Sequence, residues 1–596
     1  MSARQEKQLF WCIPIASLTA SIVMLFLRTH LHFHNPRIQY GVLRLPEAFF
    51  LTALFTALAG YLFFRVSKSP ASEERSTSSF IILLVIAFFL CWLPILLRGG
   101  FVQDDWLVVA AAMTRKIIFL HPILAWFSLD TVNGNFRPLV TTLYFGYMLK
   151  IFGLHAFALL CGNFIVNLLG SIIAFFVVRE LGYSKTAGAI ASLLYMTRGL
   201  NYTLNAWACA LGDGIVILLG GLIVLGVLRA NRRTGFVSFA YHALAWILFV
   251  IAAFAKQSAF TLPLIVALLI LLRPGQTALP SLRRRIGQTI LILISYSVPT
   301  LVIFFQARSL LKTVPYPISL TLSGFTQLLG YITWYFIGFE VPGPYKIIGI
   351  LTSVVGAAIC VGLVILVWRV PTLLGKRPRD IAFLLAASLA SISLYILLPT
   401  RTVAYYGAMS AFWLSIAIGI AITQLGGMAD KKPSARNAYI ALYLIVILGF
   451  FDIRVKQTGL ISSGGYIWGT YGMDREKVLY DQISKSLASS PDDHTLVMVD
   501  FPASAPGYIA MALIADPGLQ RILCYDSKTK TYFVNDLGGS RPKDNVRALS
   551  DVQAYWWNLP FDSAQAAKIA SQSSVAWLQF DGGTIRSIAP LSIQAE

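Results

Sequence analysis

The chain is short of charged residues. Only 13% of its 596 residues are Asp, Glu, Lys or Arg, about half of the roughly 25% that is typical of soluble domains. A soluble protein cannot absorb that deficit, because its surface must face water, whereas a surface that faces lipid needs no charge. With 57% hydrophobic residues and a mean hydropathy of +0.70, the composition predicts a multi-spanning membrane protein.

The sequence also lacks the motifs of common soluble enzymes. It has no GxxxxGK[ST] phosphate loop and no GxGxxG that follows a strand and opens a helix. Its six cysteines form no CxxC and no Cys/His spacing suited to zinc. Because most of them lie in apolar runs, we interpret them as packing residues.

The formal net charge of +21 does not indicate nucleic-acid binding. Lys and Arg gather in short loops between apolar runs instead of forming one basic surface. The positive-inside rule places the loops rich in Lys and Arg in the cytoplasm. With an odd number of spans, the N-terminus is then inside and the C-terminal tail outside.

Apolar runs that can cross a membrane occur thirteen times, since about 20 residues suffice for a spanning helix. The predicted spans lie near 9–27, 47–65, 80–98, 155–179, 187–200, 211–229, 236–255, 258–272, 286–306, 347–368, 380–398, 403–424 and 437–452. The predicted fold is a polytopic α-helical membrane protein.

Three long pieces are predicted outside the membrane. Loops 99–154 and 307–346 are apolar, contain Pro and Gly, and are predicted to form helices in the interface plane. The tail 453–596 is predicted to be an extracytoplasmic α/β domain, with an amphipathic helix at 474–489, a strand at 494–502 and a hairpin at 576–588.

The most informative polar residues are Asp104 and Asp105, which precede Trp106 just after the third predicted span. Two adjacent carboxylates beside apolar helices are costly unless they are paired, bind a metal or serve a function. Such a carboxylate can act as a general base on a hydroxyl group. The alternative is a helix N-cap in water, and the residue types leave both open.

The surroundings of this pair resemble a known superfamily. After DDW come predicted interfacial helices, NFRPL at 135–139, a helix ending in FGLHAF at 152–157, and NFIVNLLGSIIAFFVVRELG at 163–182. This order is similar to the GT-C superfamily, in its protein O-mannosyltransferase and lipid A aminoarabinose transferase branch. The similarity covers about residues 80–230. It makes 80–452 a GT-C-like catalytic region, preceded by two additional spans in 1–79.

The resemblance implies a glycosyltransferase that moves a sugar from a polyprenyl-phosphate-linked donor at the external membrane face. It implies that Asp104 or Asp105 is the general base or a metal ligand. The missing WWDYG motif disfavours oligosaccharide transfer to asparagine. No cofactor is certain, and the sequence leaves open whether a divalent metal bridges the carboxylate and the donor phosphate.

A lipid phosphate leaving group calls for cations near the external face. The candidates are Arg137 in NFRPL, Lys256 in FAKQSAF and Arg401 in LLPTRTVAYYG. For each of them, a side chain that merely extends to the interface is the alternative.

Two further acidic residues are candidates for a supporting role, Asp213 in ALGDGIV and Glu340 in IGFEVPGP. Asp213 opens a span, where a carboxylate is a functional candidate by default. Helix capping, or pairing with the nearby Arg198, would also explain it.

The expected partners are the lipid-linked sugar donor, a lipid, glycan or protein acceptor, and membrane lipids. The expected location is a bacterial inner (plasma) membrane. Two other functions stay open. A transporter or flippase often shows internal repeats, and we find none; a surface-polysaccharide polymerase or ligase would also use lipid-linked sugars.

Overall fold

The computed structural model describes most of the apolar part of the chain and four strands of the tail. The described residues are 3–28, 30–31, 36–68, 76–101, 105, 108–109, 112, 137–276, 279–311, 322–337, 353–362, 378–397, 404–428, 433–458, 495–499, 530–534, 575–581 and 584–587.

Helices dominate the described part before residue 459. In chain order they are α1 (Ala3–Leu27), α2 (Pro36–Lys68), α3 (Thr77–Arg98), α4 (Phe145–Phe152), α5 (Ala156–Glu180), α6 (Lys185–Met196), α7 (Tyr202–Ala206), α8 (Leu211–Ala230), α9 (Gly235–Ala255), α10 (Leu262–Leu272), α11 (Leu282–Leu311), α12 (Leu322–Ile337), α13 (Ser353–Gly362), α14 (Pro378–Ile396), α15 (Ala408–Met428) and α16 (Pro433–Thr458). A π-helical turn, Pro138–Tyr144, leads directly into α4.

Eight helices of the described part are long and apolar enough to cross a membrane. These stretches are Gln39–Leu62, Thr77–Arg98, Ala156–Glu180, Ala208–Ala230, Gly235–Ala255, Leu282–Phe305, Pro378–Ile396 and Tyr405–Gly426. Each coincides with a predicted span, so the prediction of a polytopic helical membrane protein is confirmed, while the number thirteen stays a prediction.

The remaining predicted spans differ in length from the helices found there. The spans near 9–27, 258–272 and 347–368 meet shorter apolar helices at Trp11–Leu27, Gln257–Leu272 and Ser353–Gly362. The span near 187–200 is too long, because α6 has 12 residues and a 3-10 turn follows it. The last span continues as helix through Thr458, past the expected domain boundary at 452.

Burial separates central helices from peripheral ones. Within the protein, 72% of the apolar stretch of α8 and 67% of that of α15 are buried, against 22% for α9 and 17% for α11. Large apolar side chains such as Phe236, Leu291 and Phe305 are exposed on the peripheral helices. In a membrane these side chains face lipid, which has no preference for polar groups.

Close helix packing forms the centre of the bundle. Helix α8 packs against α5 and α9, and α15 packs against α6 and α14. At Gly419 of α15, an added Cβ would lie 2.7 Å from the backbone nitrogen of Ala191 in α6. Small residues allow such approach between membrane helices, so this glycine fixes the distance between α15 and α6.

An arginine of α16 donates to a backbone carbonyl of α3 that has no donor within its own helix. Pro94 lies inside α3 and has no N–H to donate to the carbonyl of Leu90, four residues earlier. The guanidinium of Arg454 donates to the carbonyls of Leu90 and Cys91, and Gln457 Nε2 donates to Cys91 at 3.0 Å. Helix α16 thereby stabilises the break in α3.

Ion pairs mark one end of the bundle, which we call the basic end. Glu180, at the end of α5, accepts hydrogen bonds from Arg229 Nε at 3.2 Å and from Arg232 Nη1 at 2.9 Å. Helix α8 has 20 residues and therefore spans about 30 Å. Its first turn, which contains Asp213, lies at the opposite end.

The described part of the tail is a four-stranded mixed sheet. Its strands are β1 (Thr495–Val499), β2 (Lys530–Val534), β3 (Val575–Asp581) and β4 (Thr584–Ser587), in the order β2-β1-β3-β4. Strand β1 runs parallel to β2 and β3, whereas β3 and β4 are antiparallel. The strand and the hairpin expected in the tail are thus present. The helix expected at 474–489 lies outside the described residues, so an α/β domain stays a prediction.

Candidate functional site

The acidic residue that the structure describes in the first predicted loop is Asp105, and its side chain is fully buried. The backbone N–H of Cys209 donates to its Oδ1 at 2.8 Å, and that of Ala208 donates to its Oδ2 at 3.4 Å. Both amides belong to the 3-10 segment Ala208–Ala210, at whose start N–H groups lack helical partners. Asp105 therefore ties the first loop to the residues that lead into α8.

A buried ion pair lies in the first turn of α8, directly after the segment that binds Asp105. Asp213, in the first turn of α8, accepts a hydrogen bond from the ammonium group of Lys256, which directly follows α9. The two side chains are 6% and 7% exposed, so water and salt screen them little. Because an unpaired buried charge is costly, each of the two residues requires the other.

Gly212 allows this pair to form. An added Cβ at Gly212 would lie 2.8 Å from the carbonyl oxygen of Ala255 and 3.4 Å from Cβ of Lys256. Any larger residue would push the turn after α9 away from α8. Gly212 thus lets the turn after α9 approach the backbone of α8 closely, and Asp213 supplies the carboxylate that Lys256 meets there.

Two tyrosines that precede α15 lie beside the ion pair. The Nζ of Lys256 is 5.1 Å from the ring centroid of Tyr405 and 6.0 Å from that of Tyr406, within the range of cation–π attraction. Trp207 meets Tyr405 edge-on, with ring centroids 5.6 Å apart. These aromatic contacts connect the ion pair to the segment that Asp105 holds.

Arg137 brings a second cation to this region. It lies just before the π-helical turn, and its Nε donates to Oε1 of Gln257 at 3.4 Å. Gln257 follows Lys256 directly in the chain. Two cations, Arg137 and Lys256, therefore lie in the same region as two carboxylates, Asp213 and Asp105.

The inner side of this cluster is closed. A cavity there has a volume of about 10 Å³, enough for a single water molecule at most. Its polar lining consists of Asp213, Ser258, Ser391, Tyr395, Tyr405 and Tyr406. Because a sugar needs far more space, these residues form a packed wall and not a sugar pocket.

Buried asparagines hold the irregular segment 199–210 that leads to α8. Asn163 Nδ2 donates to the carbonyls of Leu204 at 2.8 Å and Trp207 at 2.7 Å. Asn167 Nδ2 also donates to Leu204, at 3.1 Å. Both asparagines come from α5, so a central helix fixes the backbone that receives Asp105.

Arg198 does not pair with Asp213, so the alternative explanation of Asp213 by such a pair is wrong. Its guanidinium donates to the carbonyls of Leu194 at 3.1 Å, Tyr335 at 2.9 Å and Ile445 at 3.0 Å. The residue is 1% exposed. It joins α6, α12 and α16 by satisfying their carbonyl groups, which is a structural role.

Four of the seven candidate residues lie within the part of the chain that the structure describes, and they lie together around the start of α8. We call this group the α8 cluster, and its members are Asp105, Arg137, Asp213 and Lys256. The candidates outside the described residues are Asp104, Glu340 and Arg401.

Sequence reasoning missed the aromatic part of this region. Tyr405 and Tyr406 stand next to each other at the start of a predicted span, in the same LLPTRTVAYYG that suggested Arg401. Paired tyrosines at a span end resemble ordinary interfacial residues. Only their distance from a buried lysine distinguishes them.

A metal site does not emerge from the described residues. Among them, no three His, Cys, Asp or Glu side chains lie close enough together to hold an ion. Asp104, the other acidic candidate of the pair, lies outside that part of the chain.

Comparison with known proteins gives distant structural similarity only. No family model and no curated protein matches the chain. The chain is similar to ArnT from Cupriavidus metallidurans bound to undecaprenyl phosphate, with 13% identity, a TM-score of 0.46, and coverage of 85% of this chain and 93% of ArnT.

A second similar structure is the archaeal oligosaccharyltransferase AglB from Archaeoglobus fulgidus in complex with an inhibitory peptide and a dolichol-phosphate. The identity is 12%, the TM-score is 0.45, and the match covers 84% of this chain and 69% of AglB. At these TM-scores, the similarities decide neither the fold nor the activity of this chain.

Proposed function

We propose that this protein is a membrane glycosyltransferase that moves a sugar from a polyprenyl-phosphate-linked donor to an acceptor hydroxyl group. The observation that carries the proposal is the α8 cluster, in which a buried lysine, an arginine and two carboxylates meet at one end of a helical bundle. The donor class rests on the resemblance of the DDW region to the GT-C superfamily.

The reaction requires one proton transfer and one displacement. The acceptor hydroxyl oxygen attacks the anomeric carbon as a carboxylate takes its proton, and the bond to the donor oxygen breaks. The bonding electrons leave with the polyprenyl phosphate. A single displacement of this kind inverts the anomeric configuration.

Within the acidic pair, we assign the general base to Asp104 and the positioning role to Asp105. Both oxygens of Asp105 accept backbone N–H groups, and the side chain is buried. With both oxygens held by backbone amides and no exposed surface, the Asp105 carboxylate is not placed to contact an acceptor hydroxyl. Asp105 then holds the loop in place so that its neighbour can reach the acceptor.

Lys256 and Arg137 are proposed to bind the donor phosphate. An ammonium group has three N–H donors, and Asp213 accepts one of them. Phosphate oxygens would complete its coordination, and hydrogen bonds from the positively charged side chains of Lys256 and Arg137 would stabilise the leaving group. Arg401, four residues before Tyr405 in the sequence, is proposed as a third phosphate ligand and Glu340 as a supporting acid.

The cellular setting follows from the ends of the bundle. The basic end is proposed to face the cytoplasm of a bacterial inner membrane, by the positive-inside rule. The α8 cluster, the acceptor and the tail 453–596 would then lie outside. Either a lipid, a glycan or a protein would supply the hydroxyl group.

The test is sugar transfer by the purified full chain. Radiolabelled polyprenyl-phosphate sugars are supplied with membrane extract as the source of acceptors, and transferred label is measured. We expect Asp104→Asn to abolish transfer, because the base is lost. Lys256→Met should raise KM for the donor and lower kcat. Glu180→Gln at the basic end is the control and should retain activity.

Two outcomes would reject the proposal. In the first, Asp104→Asn and Lys256→Met both transfer sugar as fast as the wild type. In the second, the wild type releases no sugar from any donor but moves the labelled lipid across vesicles, which would identify a transporter.

A further inference from the structure

A second site lies on α2 and α3, apart from the α8 cluster. Here the two helices leave an open groove of about 360 Å³. Its walls are apolar along most of their length, and they include Phe50 of α2 and Ile86, Phe89 and Leu93 of α3. These side chains are between 36% and 47% exposed. Both helices are long and apolar enough to cross a membrane, so hydrocarbon covers the groove.

One end of the groove is charged. Arg98 is the last residue of α3, and its Nη2 donates to Glu47 of α2 at 2.5 Å. This is the one hydrogen bond that the guanidinium makes to the described residues, and both side chains are about a third exposed, at 34% and 37%. Nε and Nη1 therefore stay available to a further acceptor.

The charge at this end favours an anionic partner. Arg454 of α16 lies close enough to interact electrostatically with both Glu47 and Arg98. The guanidinium of Arg454 lies at the carbonyls of Leu90 and Cys91, so two arginines face one glutamate along this side of α3. A guanidinium binds phosphate oxygens through paired N–H donors, in a geometry that an ammonium cannot match.

We propose that this groove binds a glycerophospholipid of the bilayer, with an acyl chain along the α2–α3 walls and the phosphate on Arg98. Glycerophospholipids surround this surface at a far higher concentration than any scarce lipid. By mass action, a glycerophospholipid therefore occupies the groove unless the scarce lipid binds much more tightly. One wall of the site is α2, which precedes the region proposed to be catalytic, and the other wall is α3, which belongs to that region. A lipid bound in this groove would contact both helices and so connect α2 to the rest of the bundle.

The experiment is native mass spectrometry of the full chain. The protein is reconstituted in nanodiscs of palmitoyl-oleoyl phosphatidylglycerol and phosphatidylcholine in equal parts, then released, and the retained phospholipid is counted. Wild type is expected to retain one phosphatidylglycerol. Arg98→Gln should lower retention about tenfold or more, because a charge-assisted hydrogen bond is lost.

Three further variants separate lipid binding from a structural ion pair. Glu47→Gln should retain at least as much phosphatidylglycerol as the wild type, since it releases Arg98 from its internal partner. Leu97→Trp should lower retention by filling the groove, because Leu97 lines it and is 65% exposed. The matched control, Ile247→Trp on the peripheral helix α9, is 50% exposed outside the groove and should leave retention unchanged.

Each contrary result rejects the proposal. Equal retention by all variants would mean that no specific site exists. Equal losses of retention and thermal stability in Arg98→Gln and Glu47→Gln would mean that the ion pair is structural only. A polyprenyl phosphate in place of the glycerophospholipid would mean that the groove serves the donor. Because the readout is bound mass, it is independent of glycosyl transfer.

Discussion

At the scale of single residues, the buried pair of Asp213 and Lys256 has the largest expected energetic effect. Their side chains are almost excluded from water, and the pair lies among aromatic rings. In such surroundings the loss of one partner costs more than the loss of both, because a lone charge remains buried.

We therefore predict that Asp213→Asn destabilises the protein by about 3–5 kcal/mol. The double variant Asp213→Asn/Lys256→Met should be less destabilised than the single one, since it leaves no uncompensated charge. The measurement is the unfolding midpoint in detergent. As a control, Arg229→Gln removes half of an ion pair whose arginine is 50% exposed, and it should cost less than about 1 kcal/mol. A double variant no more stable than Asp213→Asn would refute this account.

A second residue-scale prediction concerns Gly212. In Gly212→Ala the new Cβ would lie 2.8 Å from the carbonyl of Ala255, so the turn that carries Lys256 must move. Overpacking of this kind costs about 1–3 kcal/mol, and we expect donor binding to weaken with it. Thermal unfolding and KM for the donor would measure both effects.

The control for this change is Gly287→Ala in α11. Nothing lies within 4 Å of a Cβ at Gly287, so the helix should be unchanged or slightly stabilised. If both glycine variants behaved alike, close approach at Gly212 would not be the reason for its presence.

At the scale of elements, α3 depends on α16. The carbonyl of Leu90 has lost its helical partner to Pro94, and Arg454 supplies a donor from the neighbouring helix. The two helices are far apart in the chain, so this contact closes the bundle as well as satisfying the carbonyl.

We predict that Arg454→Met lowers stability by about 1.5–3 kcal/mol, the usual value of a hydrogen bond to a charged group. Pro94→Ala should recover part of that loss when combined with it, because residue 94 then donates its own N–H to Leu90. The unfolding midpoints of the wild type, both single variants and the double variant give the interaction free energy between positions 94 and 454. If the two stability changes were simply additive, the Arg454 guanidinium would not be replacing the backbone N–H that Pro94 lacks.

At the scale of the whole molecule, the distribution of charge predicts orientation. Arg229 lies at the basic end, about 24 Å along α8 from Asp213, and Arg232 lies just past the end of that helix. The membrane potential and the insertion machinery favour Arg and Lys on the cytoplasmic side.

We therefore expect a cysteine placed at the exposed Arg233 to react with a membrane-impermeant maleimide only after the cells are permeabilised. Alkaline phosphatase fused after Glu596 should be active, because that enzyme matures outside the cytoplasm. Labelling of position 233 in intact cells, together with an inactive fusion, would reverse the assignment.

Local features of the sequence predicted most of the helices correctly. Spanning helices are determined by length and apolarity, which any window of about 20 residues reveals. The prediction was wrong near 187–200, where α6 ends at Met196 because the following residues turn to form the irregular segment held by Asn163 and Asn167. Those hydrogen bonds come from another helix, so no local pattern shows them.

The candidate site was predicted in part. Arg137 and Lys256 were predicted as cations near the external face and Asp213 as a carboxylate that opens a span, and the structure brings the three into one region. Their partners were not predictable in the same way. Arg198, the sequence neighbour expected to pair with Asp213, bonds to carbonyl groups instead, while the actual partner is 43 residues away.

The sequence by itself determined that this chain is a membrane protein and which stretches are apolar enough to cross the bilayer, because hydrocarbon selects residues one segment at a time. Only the tertiary structure decided that Asp105 binds the amide of Cys209, 104 residues further on, and that Lys256 pairs with Asp213. The reason is physical. Hydropathy is a property of each segment alone, whereas a buried charge is stable only beside a partner that helix packing supplies.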